Sequence, residues 1–359
     1  MAFETPIAVF AYNRPARTEA LLAVLRDLRP GRLLFVTDGP RQDKPEDAGQ
    51  CTEVRRVLDG VDWPCRVSRC HGDRHLGCTP RVLSGLAWIF GQEEHAIILE
   101  DDLLPSPEFF PWAGRMLSIY SDNSRVMQVS GRNELGTWSD PDRADNYLSI
   151  AGGLWGFATW RRAWLALGGF QRADGRRPWR VDGQREIQDA CVEVHLAALR
   201  QQFEGAAPMD WDNEWTYRRM LLGGLAVIPP VNLVRHTGYG GDSTHHARAD
   251  HLKAHTPVGR LAGHPPRVWQ TPRAELARLT ILLDYLDRIR QPMAARRIYR
   301  SGIHRRPEVG CGKAVQAHLL PFLYPDDALR ALSQFKVVCP PSPELARLLQ
   351  PLEAALTSL

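Results

Sequence analysis

The stretch AIILEDDLLPSPEFF, residues 96–110, sets a short apolar run directly in front of three consecutive carboxylates. Ile97, Ile98 and Leu99 have the character of a strand covered on both faces. Glu100, Asp101 and Asp102 then stand where that strand leaves the sheet. In open α/β sheets the crevice outside the carboxyl ends of the strands is the usual ligand site. Clustered carboxylates there can hold a hard divalent cation with positions left open for other oxygens. An acidic triplet after a strand is also ordinary in a solvated turn or the first turn of a helix, so its meaning depends on the rest of the chain.

Outward from this segment, strand and helix alternate. The pattern predicts strands near 7–11, 33–37, 66–68 and 96–99, with helices near 16–28, 46–58 and 80–90. Leu21, Leu25 and Leu28 recur at helical spacing between Pro15 and Pro30, which act as start and stop signals. That order argues for a parallel sheet with helices on its faces. A helix after Pro107 and a strand near 126–130 follow. Residues 131–260 are rich in Gly, Trp and His with few periodic runs, as expected of loops that build a binding face. From about Pro272 the chain is predicted helical, with Leu276, Leu279, Leu283 and Leu286 on one face. The expected division is a catalytic domain over 1–265 and a helical C-terminal extension over 266–359.

Composition narrows the function classes. The 359 residues carry 45 Lys and Arg against 41 Asp and Glu, a formal net charge of +4, so no nucleic-acid surface is announced. No apolar window approaches the roughly 20 residues of a membrane span, and the default expectation is a cytoplasmic protein. Seven cysteines without paired metal-type spacing fit reduced, structural thiols.

The chemistry-bearing residues gather at strand ends. The first strand runs into Tyr12, Asn13, Arg14 and Pro15, and the second into Thr37, Asp38 and Gly39. Neighbouring parallel strands would deliver Arg14 and Asp38 to the rim that carries the acidic triplet. A guanidinium suits phosphate through its planar fork, and an aspartate can accept the N–H of a nucleobase.

The segments IAVFAYNRP, LLFVTDGP, HLGCTPRVLSGLAWIF and AIILEDDLLPSPEFF together resemble the GT-A glycosyltransferases, most closely the N-acetylglucosaminyltransferase I type and its bacterial relatives. The similarity covers about residues 5–245. It implies the GT-A fold, a Rossmann-like and mostly parallel sheet flanked by helices, and transfer of a sugar from a nucleotide-diphosphate donor, uridine type favoured, to a hydroxyl acceptor with inversion. It further implies a Mn2+ or Mg2+ cofactor held by Asp102, donor contacts from Glu100 and Asp101, a phosphate contact from Arg14, a uracil contact from Asp38 and a donor-side contact from Arg81.

The same resemblance gives a role to MDWDNEW, residues 209–215. The family places its general base directly after a tryptophan, which matches Trp211 and Asp212, with Trp211 lining the substrate site. Asn213 replaces the family's second aspartate and Glu214 is inserted, so Asp210 and Glu214 stay rivals for the base. In GGLWGFATW, residues 152–160, Trp155 is expected to offer its face to a sugar ring, while Trp155, Phe157 and Trp160 are equally suited to a core. In NLVRHTGYGGDSTHH, residues 232–246, the glycines predict a loop near the donor and His245 is the expected contact to metal or diphosphate. Two other readings stand beside this one. A nucleotidyltransferase would carry a glycine-rich, Lys- or Arg-bearing loop after the first strand, which FAYNRP lacks. A catalytically silent sugar- or partner-binding module would bind a nucleotide sugar without turnover.

Overall fold

The structure, a computed structural model, describes residues 3–133, 146–149, 152–168, 210–238, 258–261 and 268–270. Its first half follows the alternation read from sequence: β1 (Ile7–Ala11), α1 (Pro15–Leu28), β2 (Arg32–Thr37), α2 (Pro45–Leu58), β3 (Arg66–His71), α3 (Cys78–Phe90) and β4 (His95–Glu100). Then come β5 (Leu103–Pro105), α4 (Phe109–Ile119), β6 (Val126–Ser130), β7 (Asn146–Ser149), β8 (Phe157–Trp160), α5 (Arg161–Ala166), α6 (Trp211–Leu221), β9 (Leu225–Ile228), β10 (Val234–His236) and β11 (Val268–Gln270).

The protein is mixed α/β, with a mostly parallel nine-stranded sheet in the order β11-β7-β9-β6-β8-β4-β1-β2-β3. β4, β1, β2 and β3 are parallel neighbours. β8 enters antiparallel between β4 and β6, and β7 runs antiparallel to β9. Among the described residues, the stretch expected to be mainly loops thus contributes strands and two helices. Those strands are only three or four residues long, too short to leave a period in the sequence. β11 pairs with β7 beyond residue 265, so the sheet reaches into the first residues assigned to the extension. The helical segment expected after Pro272 lies outside the described residues. Among those described, no helix is long and apolar enough to cross a membrane.

Strand alternation sends successive side chains to opposite faces, and the two apolar clusters follow it. Ile7, Val9, Leu33, Phe35, Ile97 and Leu99 pack against α1, α2 and α4. Ala8, Phe10, Leu34, Val36, Ile98 and Phe157 pack against α3, α5 and α6. Local signals agree with this layering. Pro15 and Pro45 occupy the first helical turn, where a missing N–H costs nothing. Edge strand β3 carries Arg66 and Arg69 and is largely exposed, chemistry that discourages edge-to-edge pairing.

α3 lies against the sheet through Gly85. A Cβ built there would come within 2.4 Å of the Phe10 ring and 2.8 Å of Val36 Cγ1. Gly85→Val should therefore destabilise the fold by about 1–3 kcal/mol, the usual range for overpacking a filled core. Urea denaturation should show a lower midpoint at unchanged slope. A variant as stable as the parent would mean that α3 can back away from β1.

Candidate functional site

Parallel register brings the strand ends together. Phe10 pairs with Glu100 and Ala11 with Thr37, so Tyr12 to Arg14, Asp38 and the acidic triplet share one rim. The triplet is anchored to β1, because the Asp101 amide donates to the Phe10 carbonyl at 2.9 Å and the Tyr12 amide donates to Asp101 Oδ2 at 3.1 Å. Arg14 lies across the two aspartates, with Nη1 3.1 Å from Asp102 Oδ2 and 3.5 Å from Asp101 Oδ1.

Carboxylates crowd this rim with little compensating charge. Burial first, then the Asp102 charge, pushes the Asp101 carboxyl up to about 6 against the pull of Arg14. Burial also drives Glu100 well above the ordinary carboxylate range, helped by Asp102, Asp212 and Asp101. A divalent cation would relieve this repulsion, and hard carboxylate oxygens at a strand end suit Mn2+ or Mg2+. The chemistry of these oxygens fits such an ion, and Asp102 is the candidate to hold it. Among the described residues no group of three or more His, Cys, Asp and Glu side chains is arranged to hold a metal ion.

The raised Asp101 pKa has a measurable sign. Between the unfolded value and the folded one the native state binds the extra proton, so stability falls as pH rises through that window. The cost is complete above about pH 6 and relieved below about pH 4, and a shift of this size corresponds to about 2–3 kcal/mol. Asp101→Asn keeps an acceptor for the Tyr12 amide. It should be more stable than the parent at neutral pH without metal, with the advantage shrinking toward pH 4. A difference independent of pH would refute the charge-crowding account.

α6 delivers the second carboxylate group. The Trp211 amide donates to Thr79 Oγ1 at 3.3 Å, tying the start of α6 to the start of α3. Asp212, in the first turn and half-buried, accepts the Asn213 amide at 2.8 Å. Its charge helps raise both Glu100 and the Cys78 thiol, the latter pushed up to about 12 chiefly by burial. Of its rivals, Glu214 is held by Arg218 one turn on at 2.6 Å, and Asp210 is exposed at the N-cap. Asp212 is thus the member of this trio placed against the triplet.

Three expected contacts are spent on the fold itself. Asp38 is only 4% exposed. Its carboxylate accepts the amides of Gly39 (2.9 Å), Leu76 (3.0 Å) and Gly77 (3.1 Å), and His75 Nδ1 lies 2.8 Å away. A carboxylate offers about four lone-pair sites, so Asp38 holds the turn at residues 75–77 in place of presenting an acceptor to uracil. Arg81 is 8% exposed and turns onto β3, where Nη2 donates to the Cys70 carbonyl. Trp211 is 5% exposed and packs with Phe157, at 6.2 Å between ring centroids, in the core that also holds Trp215 and Trp164. Burial of its indole stabilises the α6 contact and removes it from any sugar site.

The aromatic segment divides. Phe157 and Trp160 are core, whereas Trp155 is half-buried, its ring centroid 4.3 Å from that of His236 and 4.0 Å from the Arg132 guanidinium. His236 is the site residue that sequence reasoning missed. It ends β10, which pairs antiparallel with β5 in the register His236↔Leu103. That register sets His236 Nε2 3.8 Å from Asp102 Oδ2. The segment was visible as a glycine- and histidine-rich loop, but a three-residue strand pairing 130 positions away leaves no local trace. His245, the expected contact, lies outside the described residues.

A further polar group was also missed. Asp47, fully buried in the first turn of α2, accepts from the Tyr12 hydroxyl, from Asn13 Nδ2 (2.9 Å) and from Arg41 through its backbone amide and two guanidinium N–H groups. The Arg41 bonds hold its carboxyl well below the ordinary range. Burial and Asp47 together hold the Tyr12 phenol well above its own. This network fixes Tyr12 and Asn13, and through them the backbone that leads to Arg14. The Tyr12 ring also lies 4.7 Å from that of His75, which joins the network to the Asp38 turn.

No protein-family model and no curated protein matches the chain. Among solved structures it is similar to the mannosyltransferase PcManGT from Pyrobaculum calidifontis, in complex with GDP-Man and Mn2+. That similarity has 15% sequence identity and a TM-score of 0.38, covering 99% of this chain and 86% of the other. Likeness of that grade adds nothing to what the rim residues carry by themselves.

Proposed function

We propose that the protein is a metal-dependent glycosyltransferase that moves a sugar, with inversion, from a nucleotide-diphosphate donor to a hydroxyl acceptor. The observation that carries this reading is one rim holding Arg14, the crowded triplet Glu100, Asp101 and Asp102, and the separate carboxylate of Asp212. A cation bound at Asp102 would supply Lewis-acid neutralisation of the donor diphosphate. Arg14 shares that anionic load through its guanidinium. Asp212 stands across from the triplet, where it can take the acceptor hydroxyl's proton as that oxygen attacks the anomeric carbon. Thr79 and the indole of Trp211, buried below, fix the helix turn from which Asp212 projects.

A uridine donor is our reading from the sequence resemblance alone. With Asp38 occupied by the turn at residues 75–77, base selection falls to that turn and its surroundings. The test is a thermal-shift panel of UDP-, GDP-, dTDP- and CMP-sugars with and without Mn2+. A ligand at 100 times its Kd stabilises a folded protein by about 2.7 kcal/mol. Stabilisation by at least one donor that requires the metal, with hydrolysis or transfer of the sugar, supports the reading. Binding without any turnover favours a silent sugar-binding module, and no stabilisation by any donor overturns both.

A further inference from the structure

Arg17 is a half-buried cation at the rim to which neither the sequence pattern nor the mechanism gives a role. It stands in the first turn of α1, after Arg14 at the N-cap and Pro15 in the same turn. Arg17, Leu21 and Leu25 share one helix face, and both leucines are 1% exposed in the core. Arg17 therefore continues the inward stripe of α1 past the end of the sheet. Helical side chains lean toward the N-terminus of their helix, which carries this guanidinium toward the strand ends. Its charge reaches Asp101 there, beside that of Arg14.

The two arginines are employed differently. Arg14 spends Nη1 on carboxylates, 3.1 Å from Asp102 Oδ2 and 3.5 Å from Asp101 Oδ1. Arg17 Nη1 is closed off from solvent and has no acceptor among the described residues. Its own helix supplies none: the first turn of α1 contains no acidic residue, and one turn on stand Ala20 and Leu21. Glu19, the next carboxylate of the helix, acts on Arg56 of α2. An N–H withheld from both water and protein acceptors is rare in a native fold and calls for a reason. On the inward face of a helix that opens on a ligand rim, the reason is an acceptor brought by the ligand. A guanidinium meets a phosphate through its planar fork, with two parallel N–H bonds to neighbouring oxygens.

We propose that Arg17 makes the direct contact to a phosphate oxygen of the rim's ligand, the role that the sequence resemblance assigns to Arg14, while Arg14 orients Asp101 and Asp102 and adds its charge from that position. That the phosphate belongs to a nucleotide sugar rests on the function proposed above. That Arg17 takes it rests on the separate contacts of the two arginines.

The test is calorimetric titration of the full chain with two kinds of probe, UDP or GDP with Mn2+ and inorganic pyrophosphate with Mg2+. Arg17→Met keeps the apolar stem that covers the end of α1 and removes every donor. It should melt near the parental temperature and bind the probes about 10- to 100-fold more weakly, the value of a hydrogen bond between charged groups. Parental affinity for the probes in folded Arg17→Met would overturn the inference and return the contact to Arg14.

A second measurement needs no variant. Phenylglyoxal labelling of Arg17 in the parent, read by peptide mass spectrometry, should be suppressed by whichever probe binds. Labelling of Arg17 at an unchanged rate under saturating probe would equally overturn the contact. A parent that binds pyrophosphate but neither nucleoside diphosphate would remove the proposed function, and pyrophosphate alone would then decide Arg17. A parent that binds none of the three overturns both.

Discussion

Asp212→Asn is expected to bind donor almost as well as the parent and to transfer sugar about two to four orders of magnitude more slowly, the usual contribution of a positioned general base. The substitution is close to silent for the fold. Asn keeps the oxygen that accepts the Asn213 amide at 2.8 Å. The loss of one negative charge in the first turn of α6 costs only about 0.3–1 kcal/mol. Glu214→Gln is the comparison: it breaks the ion pair with Arg218, so it should lower stability slightly and leave turnover near the parental rate. Asp210→Asn, at an exposed N-cap without a side-chain cap bond, should do little to either. Single-turnover transfer rates measured alongside donor affinity separate these outcomes. Full activity in Asp212→Asn, or the large loss appearing in Glu214→Gln or Asp210→Asn instead, would move the base elsewhere.

Asp102→Ala should abolish Mn2+-dependent binding of the nucleotide while leaving the apoprotein folded. Asp102 supports the β5 and β10 ribbon through its backbone carbonyl, which accepts from the Thr237 amide and hydroxyl, and alanine retains that carbonyl. Its side chain raises the pKa of both Glu100 and Asp101, so removing it relieves repulsion in the ligand-free protein. Apo stability should therefore hold or rise, and the roughly 2.7 kcal/mol that saturating ligand adds to the parent should disappear. Calorimetric titration of UDP with and without Mn2+ reads both effects. Parental metal-dependent affinity in a folded Asp102→Ala protein would remove Asp102 from the site and leave Glu100 as the next carboxylate to test.

The alternation of short apolar runs with amphipathic segments, the prolines at 15 and 30, and the acidic triplet after Leu99 are local. Each is a property of a few neighbouring residues whose period or chemistry dictates strand, helix start or strand end. Because parallel strands all end on the same side of a sheet, local information also sufficed to expect Arg14, Asp38 and residues 100–102 on one rim. Beyond residue 130 the strands are too short to show a period, and β8 reverses direction between β4 and β6, so topology there was not legible.

Sequence by itself therefore determined the α/β architecture of the first 130 residues and which edge of the sheet carries the charge. Only the tertiary structure decided which charged and aromatic groups are spent and which face the rim. Asp38 is satisfied by amides 38 and 39 positions away, Arg81 by the carbonyl of β3, and Trp211 by a core assembled from three helices and the sheet. His236 reaches Asp102 through pairing across more than 130 residues. Whether a polar side chain is available to a ligand depends on every partner that the fold brings to it. Those partners are set by long-range packing, which residue type and spacing do not encode one segment at a time.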